Sequence, residues 1–166
     1  MGTLQIRKYP DPILRRETEP VEEYGPDLVE LINEMKTIML EEDGVGLAGP
    51  QVGLPKKIAV VFYEGTLYVL INPVLISSEG EQAGEEGCLS FPGIYGNVVR
   101  PRNVVVEAHD EKGIKRTLEA DGFLVRAFLH EMDHLEGKLL IDHFSPLKKN
   151  IIRKRMRQLE RDERQR

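Results

Sequence analysis

Residues His130, Glu131 and His134 form a His-Glu-x-x-His motif, whose spacing suits metal-assisted hydrolysis. On a helix, side chains four positions apart lie on one face, with Cβ atoms roughly 5–6 Å apart. The two imidazoles can therefore hold one metal ion, and Glu131 can take a proton from a water molecule that the metal activates. The chain has four histidines, and half of them fall in this single turn. The alternative is a helix that carries two unrelated surface histidines.

The two histidines need a third ligand, because a catalytic site of this kind usually has three protein ligands and one open position. The candidates are Cys88, His109, His143 and the carboxylates. Cys88 is favoured, because the adjacent Gly87 lets the chain turn sharply and a thiolate is a strong ligand for Zn or Fe. We expect His109 on a strand and His143 near a helix end, both without a metal role.

The length and composition favour a single globular domain over residues 1–166. The chain has 166 residues, of which 40% are hydrophobic and 31% charged, as is typical of globular proteins. No apolar run reaches the length of a membrane span, and the N-terminus has no apolar signal core. The only cysteine cannot form an intramolecular disulfide. We therefore expect a cytoplasmic protein with no membrane or DNA partner, or an organellar one if a leader has been removed.

The net charge of −5 hides an asymmetry between the C-terminal segment and the rest of the chain. Residues 147–166 contain nine Lys or Arg against three Asp or Glu, a net charge of +6, so the remaining residues carry −11. Such a basic segment is either a solvated helix face or an arm that contacts anions or nucleic acid.

The pattern of apolar residues predicts an α+β fold. Strands joined by hairpins, with helices gathered elsewhere, argue against a doubly wound parallel sheet. We expect antiparallel or mixed sheets packed around a central helix that carries the His-Glu-x-x-His motif, together with an N-terminal helix and a basic C-terminal helix. The predicted helices are 26–42, one starting at 121 and one from 147 onward, and the predicted strands are 57–63, 67–76, 102–109 and 114–120, with a break or edge position at Asn72-Pro73.

Three segments resemble, in the same order, the three signatures of the peptide deformylase family. They are residues 44–51 (Gly-Val-Gly-Leu-Ala-Gly-Pro-Gln), 86–90 (Glu-Gly-Cys-Leu-Ser) and 130–134 (His-Glu-Met-Asp-His). Flanking residues 10–15, 119–122 and 145–148 extend the resemblance over nearly the whole chain. One departure is Gly49, where the family usually has Ala. The resemblance implies a hydrolase that removes the formyl group from N-formylmethionine at the start of new polypeptides and releases formate.

The resemblance also implies a role for each matched residue. Cys88, His130 and His134 hold one divalent metal ion, typically Fe(II), with Zn, Ni or Co able to substitute. Glu131 is the general base. The Gln51 side chain and the backbone N–H of Leu89 donate to the formyl oxygen as charge grows on it. The segment formed by Gly44, Val45 and Gly46 pairs with the substrate backbone like an added strand.

We further expect Glu86 and Asp133 to orient the ligands, with Arg102 as the ion-pair partner of Asp133. Two other functions stay open. An endopeptidase of the His-Glu-x-x-His class would take a distal His or Glu as third ligand and would not need Cys88. A ribosome- or RNA-binding module would use the basic C-terminal helix and carry a degenerate metal site. Ribosome binding is also compatible with the deformylase activity.

Overall fold

Seven β-strands and three α-helices run through residues 4–165, the part of the chain that the computed structural model describes. The helices are α1 (Pro26–Glu41), α2 (Phe123–Leu135) and α3 (Pro146–Arg164). The strands are β1 (Gly46–Ala48), β2 (Ile58–Tyr63), β3 (Thr66–Glu79), β4 (Gln82–Cys88), β5 (Phe91–Arg100), β6 (Asn103–His109) and β7 (Lys115–Asp121). Short 3₁₀ turns occupy Pro12–Arg15, Gly49–Val52 and Leu140–His143.

The strands form two antiparallel sheets. Five strands pair in the order β1-β2-β3-β6-β7, and β4 pairs with β5 in a separate hairpin. Every pair in both sheets is antiparallel. The predicted α+β class, with antiparallel sheets around the helix that carries the His-Glu-x-x-His motif, is confirmed.

Strand β2 lies between two helices, which explains its unbroken apolar run. Successive side chains of a strand point to opposite faces of the sheet. Ile58 and Val60 pack with the apolar stripe of α1, whereas Ala59 and Val61 pack with Val125, Phe128 and Leu129 of α2. The sheet is therefore covered on both faces, and α2 is held against it by an apolar face that leaves another face for chemistry.

The Asn72-Pro73 dipeptide interrupts β3 without ending it. The register against β6 shifts between Ile71 and Val74, because proline cannot donate a ladder hydrogen bond. The predicted break is therefore present. Strand β3 is nevertheless an inner strand of the sheet, and it runs on to Glu79. The β4–β5 hairpin, which carries Cys88, was not predicted.

Helix α3 begins after Ser145, whose side chain accepts a hydrogen bond from the backbone N–H of Lys148. Ile152 and Met156 anchor it in a third apolar cluster with Phe91 of β5. Leu147 and Ile151 of the same helix are exposed. Within residues 4–165, no helix combines the length and the apolarity that crossing a bilayer requires.

Candidate metal centre and active-site cleft

The C-terminal half of α2 presents both motif histidines away from solvent. His130 and His134 are buried, and their ring centroids are 5.2 Å apart. Cys88 is the last residue of β4 and meets this helix from the second sheet. The metal ligands predicted from sequence therefore come from two elements that share no backbone hydrogen bonds.

The three side chains fit a metal ion. One ligand atom each from Cys88, His130 and His134 lies within 4.8 Å of the others, and Cys88 Sγ is 3.4 Å from His134 Nε2. Tetrahedral coordination with zinc-type bond lengths places sulfur and nitrogen about 3.5 Å apart. Burial, and to a smaller extent the charge of His130, lowers the pKa of His134 to about 3, so this ring is in the neutral form that ligates metals.

Glu86 orients the first histidine. Its Oε1 lies 3.1 Å from His130 Nδ1, which leaves the other ring nitrogen free for the metal. Arg100 contacts both oxygens of this carboxylate, at 3.0 and 2.8 Å, and Arg126 donates to Oε2 at 2.7 Å. Although burial works in the opposite direction, hydrogen bonds from Arg100 and His130 lower the pKa of Glu86 to about 2. Glu86 is therefore a fixed anion beside the metal site.

The predicted pairing of Asp133 with Arg102 is wrong. Arg100 donates to Asp133 Oδ2 at 2.8 Å, and His143 Nε2 lies 3.0 Å from the same oxygen. Arg102 is exposed, because β5 ends at Arg100 and Pro101 separates the two arginines. His143 therefore contacts the site through Asp133 and not as a ligand.

Two buried arginines that the sequence reasoning missed, Arg100 and Arg126, hold the polar part of the site together. Each is 5% exposed. A signal for Arg126 was available: it interrupts the apolar run 124–129 of a predicted helix, one turn before His130. A buried cation in such a run needs an anionic partner.

The carboxylate of Glu131 is buried beside the cluster and against β1. It is 4% exposed, and its Oε1 has no hydrogen-bond partner within residues 4–165. Burial raises the pKa of Glu131 to about 7, which is the range in which a carboxylate exchanges protons efficiently near neutral pH. A Cβ atom built on Gly46 would lie 2.4 Å from Glu131 Oε2. Only glycine therefore leaves room for the carboxylate in this position.

Gln51 reaches the cluster from the 3₁₀ turn after β1. Its Oε1 accepts from the backbone N–H of Ala48 at 3.0 Å, which fixes the amide orientation. Its Nε2 donates to Ser90 Oγ at 3.2 Å and lies 3.5 Å from Cys88 Sγ. Leu89 follows Cys88 and contacts the Gly44 backbone position through its side chain.

A cleft of about 860 Å³ connects these groups. Its lining includes Gly44, Val45, Gly46, Gln51, Leu89 and Glu131. Strand β1 is the edge of its sheet and pairs only with β2 within the described residues. Its second edge is available to an extended peptide, and residues 44 and 45 lead directly into this strand. Cys88 and His130 also line the cleft, whereas His134 lies behind them.

Fold and site together define a class: an α+β hydrolase whose cleft carries a Cys/His/His cluster that could hold a metal ion. The sequence profile of the polypeptide deformylase family matches residues 3–150. A peptide deformylase of Thermodesulfovibrio yellowstonii is 44% identical over 95% of this chain and 98% of its own length. One of Halothermothrix orenii is 49% identical over 86% and 94%. A crystal structure of a peptide deformylase from Legionella pneumophila superimposes with a TM-score of 0.93 at 38% identity, covering 99% of both chains.

The chain belongs to the polypeptide deformylase family. It is a hydrolase that removes the formyl group from N-formylmethionine at the N-terminus of newly made polypeptides and releases formate. The family predicted from the three sequence signatures is thereby confirmed.

Proposed function

We propose that Cys88, His130 and His134 hold one divalent metal ion at which this deformylation takes place. The observation that carries the proposal is the convergence of three ligand atoms within 4.8 Å, beside the unpartnered buried carboxylate of Glu131. When bound, a divalent ion supplies Lewis acidity that makes water a stronger nucleophile near neutral pH. The rest of the chemistry comes from the protein side chains.

Glu131 takes the proton of the attacking water and later gives it to the leaving amine nitrogen. Its pKa of about 7 suits both transfers. The water oxygen bonds to the formyl carbon, the bond from that carbon to the peptide nitrogen breaks, and the products are formate and a free amine. The Gln51 amide and the backbone N–H of Leu89 donate to the formyl oxygen as negative charge develops on it.

Strand β1 aligns the substrate. An N-formylmethionyl nascent peptide pairs with residues 44–46 at the open edge of the sheet, which places its N-terminal formyl group next to Glu131. Because Gly46 lies against Glu131, substrate alignment and general base share one wall of the cleft. The proposed location is the cytoplasm of a bacterial-type cell, where such peptides are made, with no membrane or DNA partner.

A formate-release assay on formyl-Met-Ala-Ser tests these roles. In freshly purified, anaerobic, metal-replete protein, we expect Glu131→Gln to lower kcat by at least about 100-fold with unchanged metal content. The matched control is Glu81→Gln, an exposed carboxylate just before β4 that does not line the cleft, and it should behave like the wild type. Wild-type activity in Glu131→Gln would remove Glu131 from the mechanism. A Cys88→Ser protein with full metal content and activity would favour the endopeptidase-type ligand set instead.

We infer Fe(II) as the working metal from the family resemblance, since a Cys/His/His set suits both Zn and Fe(II). The test is to remove the metal, reload the protein separately with Fe(II), Zn(II), Ni(II) or Co(II) under anaerobic conditions, and measure kcat for each form. The Fe(II) form should be among the most active. A Zn(II) form that exceeds it would contradict the assignment.

The basic face of α3 is the proposed contact with the ribosome, where the substrate emerges. The exposed cations on this helix include Arg153, Lys154, Arg155 and Arg157. A surface of this kind binds RNA phosphates, and the association weakens as salt rises. Deleting the helix is a poor test, because Ile152 and Met156 belong to the core.

A quadruple Gln variant of these four α3 cations should therefore lose ribosome co-sedimentation at low salt and keep deformylase activity on a short peptide. A matched control neutralises four exposed cations elsewhere: Lys56, Lys112, Lys115 and Arg116. Equal co-sedimentation of both variants and the wild type would contradict the ribosome contact.

A further inference from the structure

Arg126 occupies a junction between the two elements that supply the proposed metal ligands. It lies on α2, four residues before His130, and its side chain is 7% exposed. Its Nη1 has three acceptors within hydrogen-bond distance, Glu86 Oε2 at 2.7 Å, Val98 O at 2.9 Å and Gly84 O at 3.1 Å, and they share its two N–H groups. A single side-chain nitrogen of Arg126 thus lies within hydrogen-bond distance of backbone carbonyls on both strands of the β4–β5 hairpin.

The two carbonyl acceptors are opposite each other in the hairpin. Gly84 and Val98 are register partners, so the guanidinium contacts two residues that face each other across the strand pair. The absence of a side chain at Gly84 permits this approach, because a Cβ there would lie 3.1 Å from Arg126 Nη2 and 3.2 Å from Cζ. The third acceptor, Glu86, lies on the same strand two residues before Cys88.

Glu86 connects this contact to the metal site. Its carboxylate accepts from Arg126 through Oε2 and contacts His130 Nδ1 through Oε1. Arg126 and His130 lie four residues apart and therefore on one face of α2. The same carboxylate thus meets the helix at two successive turns, and Cys88 lies two residues farther along β4.

Besides Arg126, two other polar contacts join the hairpin to α2: Glu86 Oε1 with His130 Nδ1 at 3.1 Å, and Arg100 with Asp133 at 2.8 Å. The hairpin shares no ladder with the five-stranded sheet within residues 4–165. Arg100 makes the reverse link, from β5 to Asp133 on the helix. Arg100 reaches the helix three residues after His130, and Arg126 four residues before it, so the two cations bracket the ligand-bearing turn.

From this geometry we propose that Arg126 is a positioning residue, which sets the distance and angle between Cys88 on the hairpin and the two histidines on α2. The inference rests on the proposed Cys88/His130/His134 ligand set. It does not assign Arg126 any contact with substrate. Arg126 acts through the Gly84 and Val98 carbonyls, which place the hairpin, and through Glu86, which orients His130.

The Arg126 side chain is not needed merely to neutralise the charge of the Glu86 carboxylate. Without Arg126, Glu86 keeps its two contacts with Arg100 and its contact with His130. Loss of the arginine therefore removes the bonds to the two hairpin carbonyls and the 2.7 Å bond to Glu86, while the other contacts of Glu86 still hold its carboxylate. A variant should stay folded while its metal geometry changes.

The test uses Co(II) as the probe in the full-length protein. The wild type, Arg126→Met, Arg126→Gln and Arg126→Lys are loaded with Co(II), and dissociation constants and electronic absorption spectra are measured. The thiolate-to-metal charge-transfer band reports the Cys88 bond, and the d–d bands report coordination geometry. Arg102→Gln removes an exposed arginine just beyond the hairpin and is the matched control.

We expect Arg126→Met and Arg126→Gln to bind Co(II) roughly 10–100-fold more weakly than the wild type, with altered charge-transfer and d–d bands. Arg126→Lys should be intermediate, because three acceptors converge on one nitrogen and an ammonium offers three N–H groups on a stem one bond shorter. Arg102→Gln should match the wild type.

Several results would overturn the proposal. Wild-type affinity and spectrum in a folded Met or Gln variant would exclude a positioning role. A Lys variant no better than Met would show that the converging hydrogen bonds do not matter. If none of the three variants folds, Arg126 is a stability residue only. A wild-type protein without a thiolate charge-transfer band would instead refute the ligand set itself, which separates that failure from failure of this inference.

Discussion

Gly46→Ala should disable the proposed general base, Glu131, without touching a proposed metal ligand. The added Cβ would lie 2.4 Å from Glu131 Oε2, 2.8 Å from Cδ and 2.9 Å from Cγ, where ordinary contacts begin at 3.4 Å. The Glu131 carboxylate must therefore move by about 1 Å from its buried position on α2. Displacements of this size cost about 100-fold in rate, or about 2.7 kcal/mol in the barrier.

The assay is steady-state formate release from formyl-Met-Ala-Ser, with metal content measured on the same samples. We expect kcat to fall about 100-fold while metal content stays at the wild-type level, because the three atoms nearest the added Cβ all belong to Glu131. The backbone at this position is extended, so alanine adds no conformational strain. A general loss of fold is therefore not the expected cause.

Gly25→Ala is the matched control. Gly25 precedes α1 with an extended backbone, and a Cβ built there meets no atom within 4 Å. Because Gly25 does not line the cleft, we expect kcat to stay within about twofold of the wild type. If Gly46→Ala keeps kcat within threefold of the wild type, or loses no more than Gly25→Ala, the steric coupling between β1 and Glu131 is refuted.

Three further predictions concern stability. Glu86→Gln leaves buried guanidinium charge uncompensated and should lower the free energy of unfolding by about 3–5 kcal/mol, or the Tm by roughly 6–20 °C. The exposed control Glu85→Gln should change stability by less than about 0.5 kcal/mol. Similar Tm values for the two variants would refute the ion-pair network around Glu86. Ile152→Ala should cost about 2–5 kcal/mol in urea unfolding and Ile151→Ala under about 0.5 kcal/mol, since the two side chains are 2% and 60% exposed; equal losses would mean that α3 packs differently. Chelation should lower the Tm of the wild type, because bound metal adds about 2.7 kcal/mol to the free energy of unfolding where free metal is 100 times Kd. Chelation should not change the Tm of Cys88→Ala. An equal effect on both proteins would place the metal elsewhere.

Local spacing explains why most of the site could be predicted from sequence. The His130 and His134 pair needs only a helix, and helical periodicity over 124–135 supplied one. Gln51 and the residues around Cys88 were placed by resemblance, and the structure brings them to the same cleft. The pairing of side chains that are distant in sequence had no such local signal.

The β4–β5 hairpin shows why a strand can be missed in the amino-acid sequence. In β4 the inward positions are Gln82, Gly84 and Glu86, and exposed residues alternate with them. The period of two is present, but the inward residues are not apolar: Gly84 and Glu86 face Arg126 and Arg100, and Gln82 donates to the Pro101 and Gly122 carbonyls. A search for alternating hydrophobicity therefore finds only a polar, acidic stretch.

Strand β5 contained a readable signal for the correct arginine. Gly96, Val98 and Arg100 are buried at alternate positions, whereas Asn97 and Val99 are exposed. Continuing the alternation puts the Arg100 side chain inside, and the following proline ends the strand before Arg102. Charge cannot choose between Arg100 and Arg102, and strand parity is the same for both, so the proline that ends the strand decides.

The polar interior of this site is balanced in charge. Arg100 and Arg126 face Glu86 and Asp133, two cations against two anions, all on the hairpin or α2. Replacing such a set with apolar residues is often neutral for stability, so stability does not by itself explain it. Hydrogen bonds are directional, however, and apolar packing tolerates small shifts. A metal site whose ligands come from two separate elements needs that directionality, because a displacement of the hairpin along α2 would move Cys88 away from both histidines.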